Sequence, residues 1–301
     1  MVKAEAQEPN VSPEFVVGSA WAAYKKNFKP LLAALLLVIL ITGVPVLLGL
    51  MPIMYVYGQV EDLQLVTPES ALAVWVFLAV MMLASVILGF VLQGGLITVC
   101  RDALKGKASA WSLFAAAKKR WKTYIGVGLL VTAIELLILL VSYASLLVGA
   151  GSDSTLLVMV GVIIFFVGYI ALLLAELMLF FSYPAAVVDN LGAVAAVKSS
   201  YRLARRKLLS VFALNILLSI VMFAIALIAF VILSAIILLL VFLISMVYPL
   251  FTMPLIVKFY IAFIVGLLVG QPVIYLGLVS FYTRNKNTVK TEKTAKMKKR
   301  R

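Results

Sequence analysis

Residues 31–57, 71–100, 208–257 and 259–283 contain no charged side chain, and 123–152 and 154–188 contain one each, Glu135 and Glu176. A hydrocarbon core about 30 Å thick is crossed by about 20 apolar residues of helix. Runs this long cannot stay on the surface of a soluble domain. They are also too long for the alternating strands of a membrane barrel. Helices, which satisfy their backbone groups internally, are the spanning elements that remain. The expected fold is all-α and polytopic, with about six transmembrane helices in three hairpins.

Two runs need a decision. The stretch 208–283 is long enough for two spans or three. Pro249 and Pro254 fall within it, and proline interrupts a regular helix. We read two spans joined by a broken apolar segment, about 233–257, at the outer face. The first run, 31–57, is too long for the apolar core of a signal peptide, and no small-residue cleavage site follows it. It is read as a retained first span.

Charge orients the chain. Four cations lie in residues 1–30, seven in 101–122, five in 198–207 and nine in 284–301, together 25 of the 26 Lys and Arg residues. If the spans alternate, all four segments share one side. The other side has Glu61, Asp62, Glu69 and Asp153, with Lys258 as its cation. The positive-inside rule makes the basic side cytoplasmic, with both termini inside a cell membrane. The net charge of +14 thus points to topology and to anionic lipid headgroups rather than to nucleic acid. The tail 284–301 is expected to be a disordered basic extension of a single membrane domain, 1–283.

A pattern precedes each outgoing span. Aligning Trp21, Phe114 and Tyr201 places a basic pair four residues later in every case: Lys25-Lys26, Lys118-Lys119 and Arg205-Arg206. The offsets are 93 and 87 residues, which suggests a repeated unit over about 12–100, 108–188 and 191–283. Apolar residues recur at helical spacing in each stretch: Val17, Ala20, Trp21, Tyr24, Phe28; Trp111, Phe114, Trp121, Ile125; Val194, Val197, Tyr201, Ala204, Leu208. Each unit is expected to begin with a cytoplasmic amphipathic helix at the membrane interface. The first has a start signal, Ser12-Pro13-Glu14. The six paired cations form a candidate lipid-headgroup collar.

The run Tyr183-Pro184-Ala-Ala-Val-Val-Asp189-Asn-Leu-Gly192, continuing to Lys198-Ser-Ser-Tyr201-Arg-Leu-Ala-Arg-Arg-Lys207, resembles the membrane domain of glycerophosphoryl diester phosphodiesterases and its bacterial and archaeal relatives. Gly94-Gly95-Leu96 through Arg101-Asp102-Ala103-Leu104-Lys105-Gly106 is similar to an exit from another hairpin of that family. The resemblance spans roughly residues 10–283. It implies six helices and an auxiliary role. It does not carry the phosphodiesterase activity, because no polar segment is long enough for the catalytic barrel and the chain has no histidine.

Polar groups inside a span are costly and invite a reason. Gln93, Glu135, Glu176, Asn215 and Gln271 place one such group in each of five spans, in the half nearer the basic end. They are either a polar cavity or a set of interhelical hydrogen bonds. With one cysteine, Cys100, and no histidine, no catalytic, cofactor-binding or metal-binding set is legible, and no cofactor is expected. The residues point first to a non-enzymatic membrane scaffold or auxiliary protein that engages anionic lipids or membrane partners. The alternative is a permease-like protein with a polar intramembrane cavity.

Overall fold

The computed structural model describes residues 12–58, 68–152, 154–245 and 269–286. Among them every regular element is a helix: α1 (Pro13–Lys26), α2 (Phe28–Gly58), α3 (Pro68–Leu104), α4 (Ser112–Ala150), α5 (Thr155–Leu179), α6 (Ser182–Val188), α7 (Ala193–Arg206), α8 (Leu208–Ser245) and α9 (269–286). Five described stretches are long and apolar enough to cross a membrane: Phe28–Pro52, Leu72–Leu104, Ser112–Ala150, Thr155–Val188 and Leu208–Ile236. The chain is an all-α, multi-pass membrane protein.

The sixth expected span, 259–283, begins outside the described residues, and its second part is helical in α9. The expected outer segment 233–257 needs correction in its first half. α8 runs unbroken to Ser245, because residues 208–248 contain no proline and no glycine. Residues 246–257 lie outside the described residues. The basic tail also starts later than expected. Arg284 stacks on the Phe15 ring at 4.7 Å and Lys286 pairs with Asp189 at 2.7 Å, so 284–286 belong to α9. Residues 287–301 lie outside the described residues.

Three helix breaks fall at one register position. α1 gives way to α2 at Asn27 (φ −116°, ψ 29°). α4 is interrupted at Arg120 (φ −134°, ψ 22°). α7 gives way to α8 at Lys207 (φ −125°, ψ 37°). Each lies six residues after the aligned aromatic and directly after the basic pair. Each side chain reaches the end of the helix that returns to the same side. Asn27 Nδ2 donates to the Ala103 carbonyl at 3.3 Å. Arg120 donates to the Ala186 carbonyl, and to the Asn190 carbonyl at 2.7 Å. Lys207 Nζ donates to Asn285 Oδ1 at 2.6 Å, although desolvation there holds its ammonium below the usual lysine range. Carbonyls at a helix C-terminus lack intrahelical partners, and these donors supply them at two of the three ends.

The short helices pack in a cycle. The segment after Trp111 lies on α3, with the Leu113 carbonyl 2.7 Å from where a Cβ on Gly95 would sit. α7 lies on the α5–α6 junction through Ser200. α1 lies on α9, with Ser19 Oγ 3.1 Å from Ser280 Oγ and the Tyr24 hydroxyl donating to the Val269 carbonyl at 3.0 Å. Burial pushes the Tyr24 hydroxyl up to about 12. The faces that pack differ from those expected. Val16, Ala20 and Tyr24 are buried, as are Leu113 and Ala117, and Ala196, Ser200 and Ala204. Trp111 is 73% exposed and Val194 69%. Small residues let the helices approach closely, while the aromatic rings are left for the interfacial layer.

The core gathers at the basic end. Leu96, Ile97, Val99 and Cys100 of α3, Ala185 and Ala186 of α6, and Val279, Phe281 and Tyr282 of α9 are almost wholly enclosed. The far halves of α4 and α5 expose nearly all their large apolar side chains, as suits helices that face lipid.

Candidate functional site

Directly above that core the helices part around a cavity of about 350 Å³. Four of the five expected intramembrane polar residues line it: Gln93, Glu135, Glu176 and Asn215. Gln271 is not among its lining residues. It enters from α9, the helix whose neighbouring turns are packed in the core, so the alternation of spans alone could not say which face it occupies.

The register explains the wall. Gly128, Val131, Thr132 and Glu135 line the cavity from α4, at i, i+3, i+4 and i+7, which is one helical face. Phe90 and Gln93 do the same from α3 one turn apart. A Cβ on Gly128 would overlap the Phe90 ring, and one on Gly94 would overlap the Tyr124 ring. These two glycines let aromatic rings lie flat on the facing helix, so α3 and α4 close below the cavity. From α5 come Glu176 and Leu177, then Phe180 at a break in the span. Pro184 has no N–H for the Phe180 carbonyl, which ends α5 there. Ser200 of α7 bridges the break: its Oγ accepts from the Phe181 N–H at 3.0 Å and donates to the Met178 carbonyl at 2.7 Å. The break places Tyr183 in the wall.

No lysine or arginine lines the cavity. Glu135 and Glu176 come from facing helices and repel one another. Among the described residues neither carboxyl has a hydrogen-bond or ion-pair partner. Asn215 and Thr132 likewise have none. Glu176 is exposed at the mouth, while Gln93, Thr132, Glu135 and Asn215 are half-buried. The wall therefore offers mainly acceptors, with Phe90, Phe180 and Tyr183 beside them. Such a wall takes a hydrogen-bond donor, a cation or a proton. Among the described residues no group of three or more His, Cys, Asp or Glu side chains is placed to hold a metal ion.

Below the cavity a polar belt ties the helix ends together. Arg101 donates to the Val187 carbonyl at 3.3 Å and pairs with Asp102 at 3.0 Å. Asp189 accepts from the Tyr282 hydroxyl at 2.8 Å and from Lys286 at 2.7 Å. Ser199 lies 3.0 Å from that hydroxyl. The family model of a domain of unknown function, DUF7847, matches residues 21–285. The chain belongs to that family. No curated protein and no solved structure matches it. The DUF7847 match takes in all three break residues and their partners, from Asn27 to Asn285.

The collar residues are placed differently. Lys25, Lys26, Lys118, Lys119, Arg205 and Arg206 are all exposed, and Lys25 lies over the Trp21 ring at 5.7 Å. Each pair directly precedes a break, and none of the six lines the cavity. Sequence reasoning missed the break residues themselves. Their signal was the hydrogen-bond-donating side chain, Asn, Arg or Lys, that directly follows each basic pair. Thr132 was also missed; it stands three residues before Glu135, on the same helical face.

Proposed function

We propose that this DUF7847 protein binds a small cationic, hydrogen-bond-donating solute inside the membrane, in the manner of a permease. The observation that carries this reading is a half-enclosed cavity where two carboxyls converge without a partner among the described residues. Interhelical bonding, the other explanation for buried polar groups, requires partners, and among the described residues Glu135 and Glu176 have none. Aromatic rings in the wall suit an ammonium group. The volume lies at the small end of ligand pockets, about 300–1,000 Å³.

The test is binding of short alkylammonium ions and their matched alcohols to the purified protein, read as thermal stabilisation. The ammonium ions should stabilise and the alcohols should not. Glu135→Gln with Glu176→Gln should weaken the ammonium effect at least about tenfold. An unchanged response in the double variant, or no response to any amine, overturns the reading.

The scaffold reading keeps one observation of its own: all three basic pairs are exposed at the same register, beside the helix breaks. A collar of this kind engages anionic headgroups on the cytoplasmic leaflet at about 1 kcal/mol per cation. It goes together with termini on the cytoplasmic side, with a threefold repeat supported by the shared break geometry, and with an auxiliary, non-enzymatic role in a cell membrane. The kinship with the phosphodiesterase membrane domain belongs to the same proposal. It rests on the Tyr183–Lys207 run, whose Asp189, Ser199 and Ser200 all hold helix ends together.

A further inference from the structure

An apolar groove of about 520 Å³ runs along the outside of α2, lined by Ala33, Leu36, Leu37, Ile39 and Leu40, with Ala110 and Trp111 as its other wall. Among the described residues no others line it, and Trp111 is 73% exposed. The groove is not uniform along its length. Lys29, Ala33, Leu36, Leu37 and Leu40 are spaced i, i+4, i+7, i+8 and i+11, so one stripe of α2 begins with a cation at the basic end and continues as the groove.

The opposite wall repeats that polarity. Three residues before Ala110 stands Lys107, in the turn that ends α3. Gly106 adopts φ +71° there, and the turn is closed by Gly106 N–H to the Ala103 carbonyl at 3.0 Å and Lys107 N–H to the Asp102 carbonyl at 2.9 Å. The left-handed glycine reverses the chain and sets Lys105 and Lys107 on either side of it. The Lys26 ammonium comes to 4.0 Å from where a Cβ on Gly106 would sit. Lys26, Lys29, Lys105 and Lys107 are all exposed, and among the described residues none pairs with a carboxylate. Asp102, the nearest acid in sequence, is taken by Arg101 at 3.0 Å.

Lys29 thus continues the groove's α2 stripe toward the basic end, Lys107 stands one turn before its other wall, and Lys26 and Lys105 lie beside Gly106 between them. Like charges brought together without an acid repel, and the arrangement gains when an anion stands between them. A groove for a chain, ending in a cluster for a phosphate at headgroup depth, has the polarity of an anionic phospholipid. We propose that this groove is a defined seat for one anionic phospholipid, with an acyl chain along α2 against Trp111 and its phosphate among Lys26, Lys29 and Lys107. The seat deepens the collar reading and rests on it. It differs in being one site with its own hydrocarbon wall rather than a ring of headgroup contacts.

Trp111 reports on the seat. The protein has four tryptophans, and Trp21→Phe, Trp75→Phe and Trp121→Phe together leave Trp111 as the one fluorophore. In vesicles of phosphatidylcholine, phosphatidylglycerol with brominated acyl chains should quench Trp111 at a several-fold lower mole fraction than brominated phosphatidylcholine. Adding Lys29→Gln and Lys107→Gln should abolish that preference. Adding Lys198→Gln and Arg202→Gln, on α7 and outside both the collar and the lining of the groove, should leave it. Equal quenching by the two brominated lipids overturns the seat, because Trp111 then meets only the general lipid annulus. If the triple Phe variant does not fold, native mass spectrometry of the otherwise unaltered protein should show one fewer retained phosphatidylglycerol with Lys29→Gln and Lys107→Gln. An unchanged number overturns the seat as well. If the unaltered protein retains no phosphatidylglycerol in preference to phosphatidylcholine, the collar reading falls with it. Retention that persists while Trp111 shows no preference removes the seat alone.

Discussion

Ser200 occupies a contact where one hydroxyl serves two backbone groups. It is fully buried, accepts from the Phe181 N–H and donates to the Met178 carbonyl. The break between α5 and α6 would otherwise bury a free donor, which costs about 1–3 kcal/mol. Ser200→Ala should therefore destabilise the purified protein by about 1–3 kcal/mol, whereas Ser199→Ala, at a half-buried position, should cost less. A Ser200→Ala melting curve that overlays the parent would remove the bridge from the account. The serine was visible in the run Lys198-Ser199-Ser200-Tyr201, but the sequence did not say which serine faced inward. The same holds for the break: Pro184 was legible, and its partner, nineteen residues downstream of Phe181, was not.

At the scale of elements, the three breaks do the same work with different side chains. Arg120 makes the fullest set of bonds, reaching the carbonyls of Ala186, Asn190 and Leu191 and the Asn190 side chain. Asn190 itself holds φ 54°, a left-handed turn that exposes its carbonyl to the guanidinium. Arg120→Ala should cost about 3 kcal/mol, since hydrogen bonds from a charged group are worth about 1.5–3 kcal/mol each before coupling between them. Arg120→Lys should recover only part of this, because an ammonium cannot fork across several carbonyls. Thermal unfolding in one detergent compares the three proteins. Full recovery by lysine would mean that charge, not geometry, holds the turn. The break positions were encoded in the register after Trp21, Phe114 and Tyr201. Their function was not, because the groups they meet lie 66 to 78 residues away.

Over the whole molecule, the packing is uneven along the membrane normal. The basic end is enclosed and belted by Arg101, Asp189, Tyr282 and Lys286. The opposite halves of α4 and α5 stand mostly in lipid. Motion that opens the cavity is therefore expected from the far ends, with the belt as the fixed base. The orientation is testable at the same scale. With the buried native Cys100 left in place, Ser154→Cys should react with an impermeant thiol reagent added outside intact cells. Ser109→Cys, exposed in the loop before α4, should react only after the membrane is opened. Labelling of Ser109→Cys in intact cells would place the basic segments outside and reverse the topology.

The sequence by itself determined the class of molecule. Uncharged runs of spanning length, a one-sided distribution of cations and a repeated aromatic-basic register all act locally, through hydration and helix geometry, so each is readable from the chain in order. It also named four of the cavity's polar residues, since a carboxyl or amide inside an apolar run stands out wherever it faces. What it left undecided is which side of each helix faces protein. In a soluble helix that is marked by a change from apolar to polar. Here lipid and core are equally apolar, so Leu96 and Leu136 look alike in the sequence, though the first is buried and the second exposed. Only the tertiary structure decided that Glu135 and Glu176 meet across a cavity rather than bond to neighbours, because that depends on how α3, α4, α5 and α8 are turned about their own axes. Gly94, Gly128 and the break at Pro184 set those rotations through contacts between residues far apart in the chain.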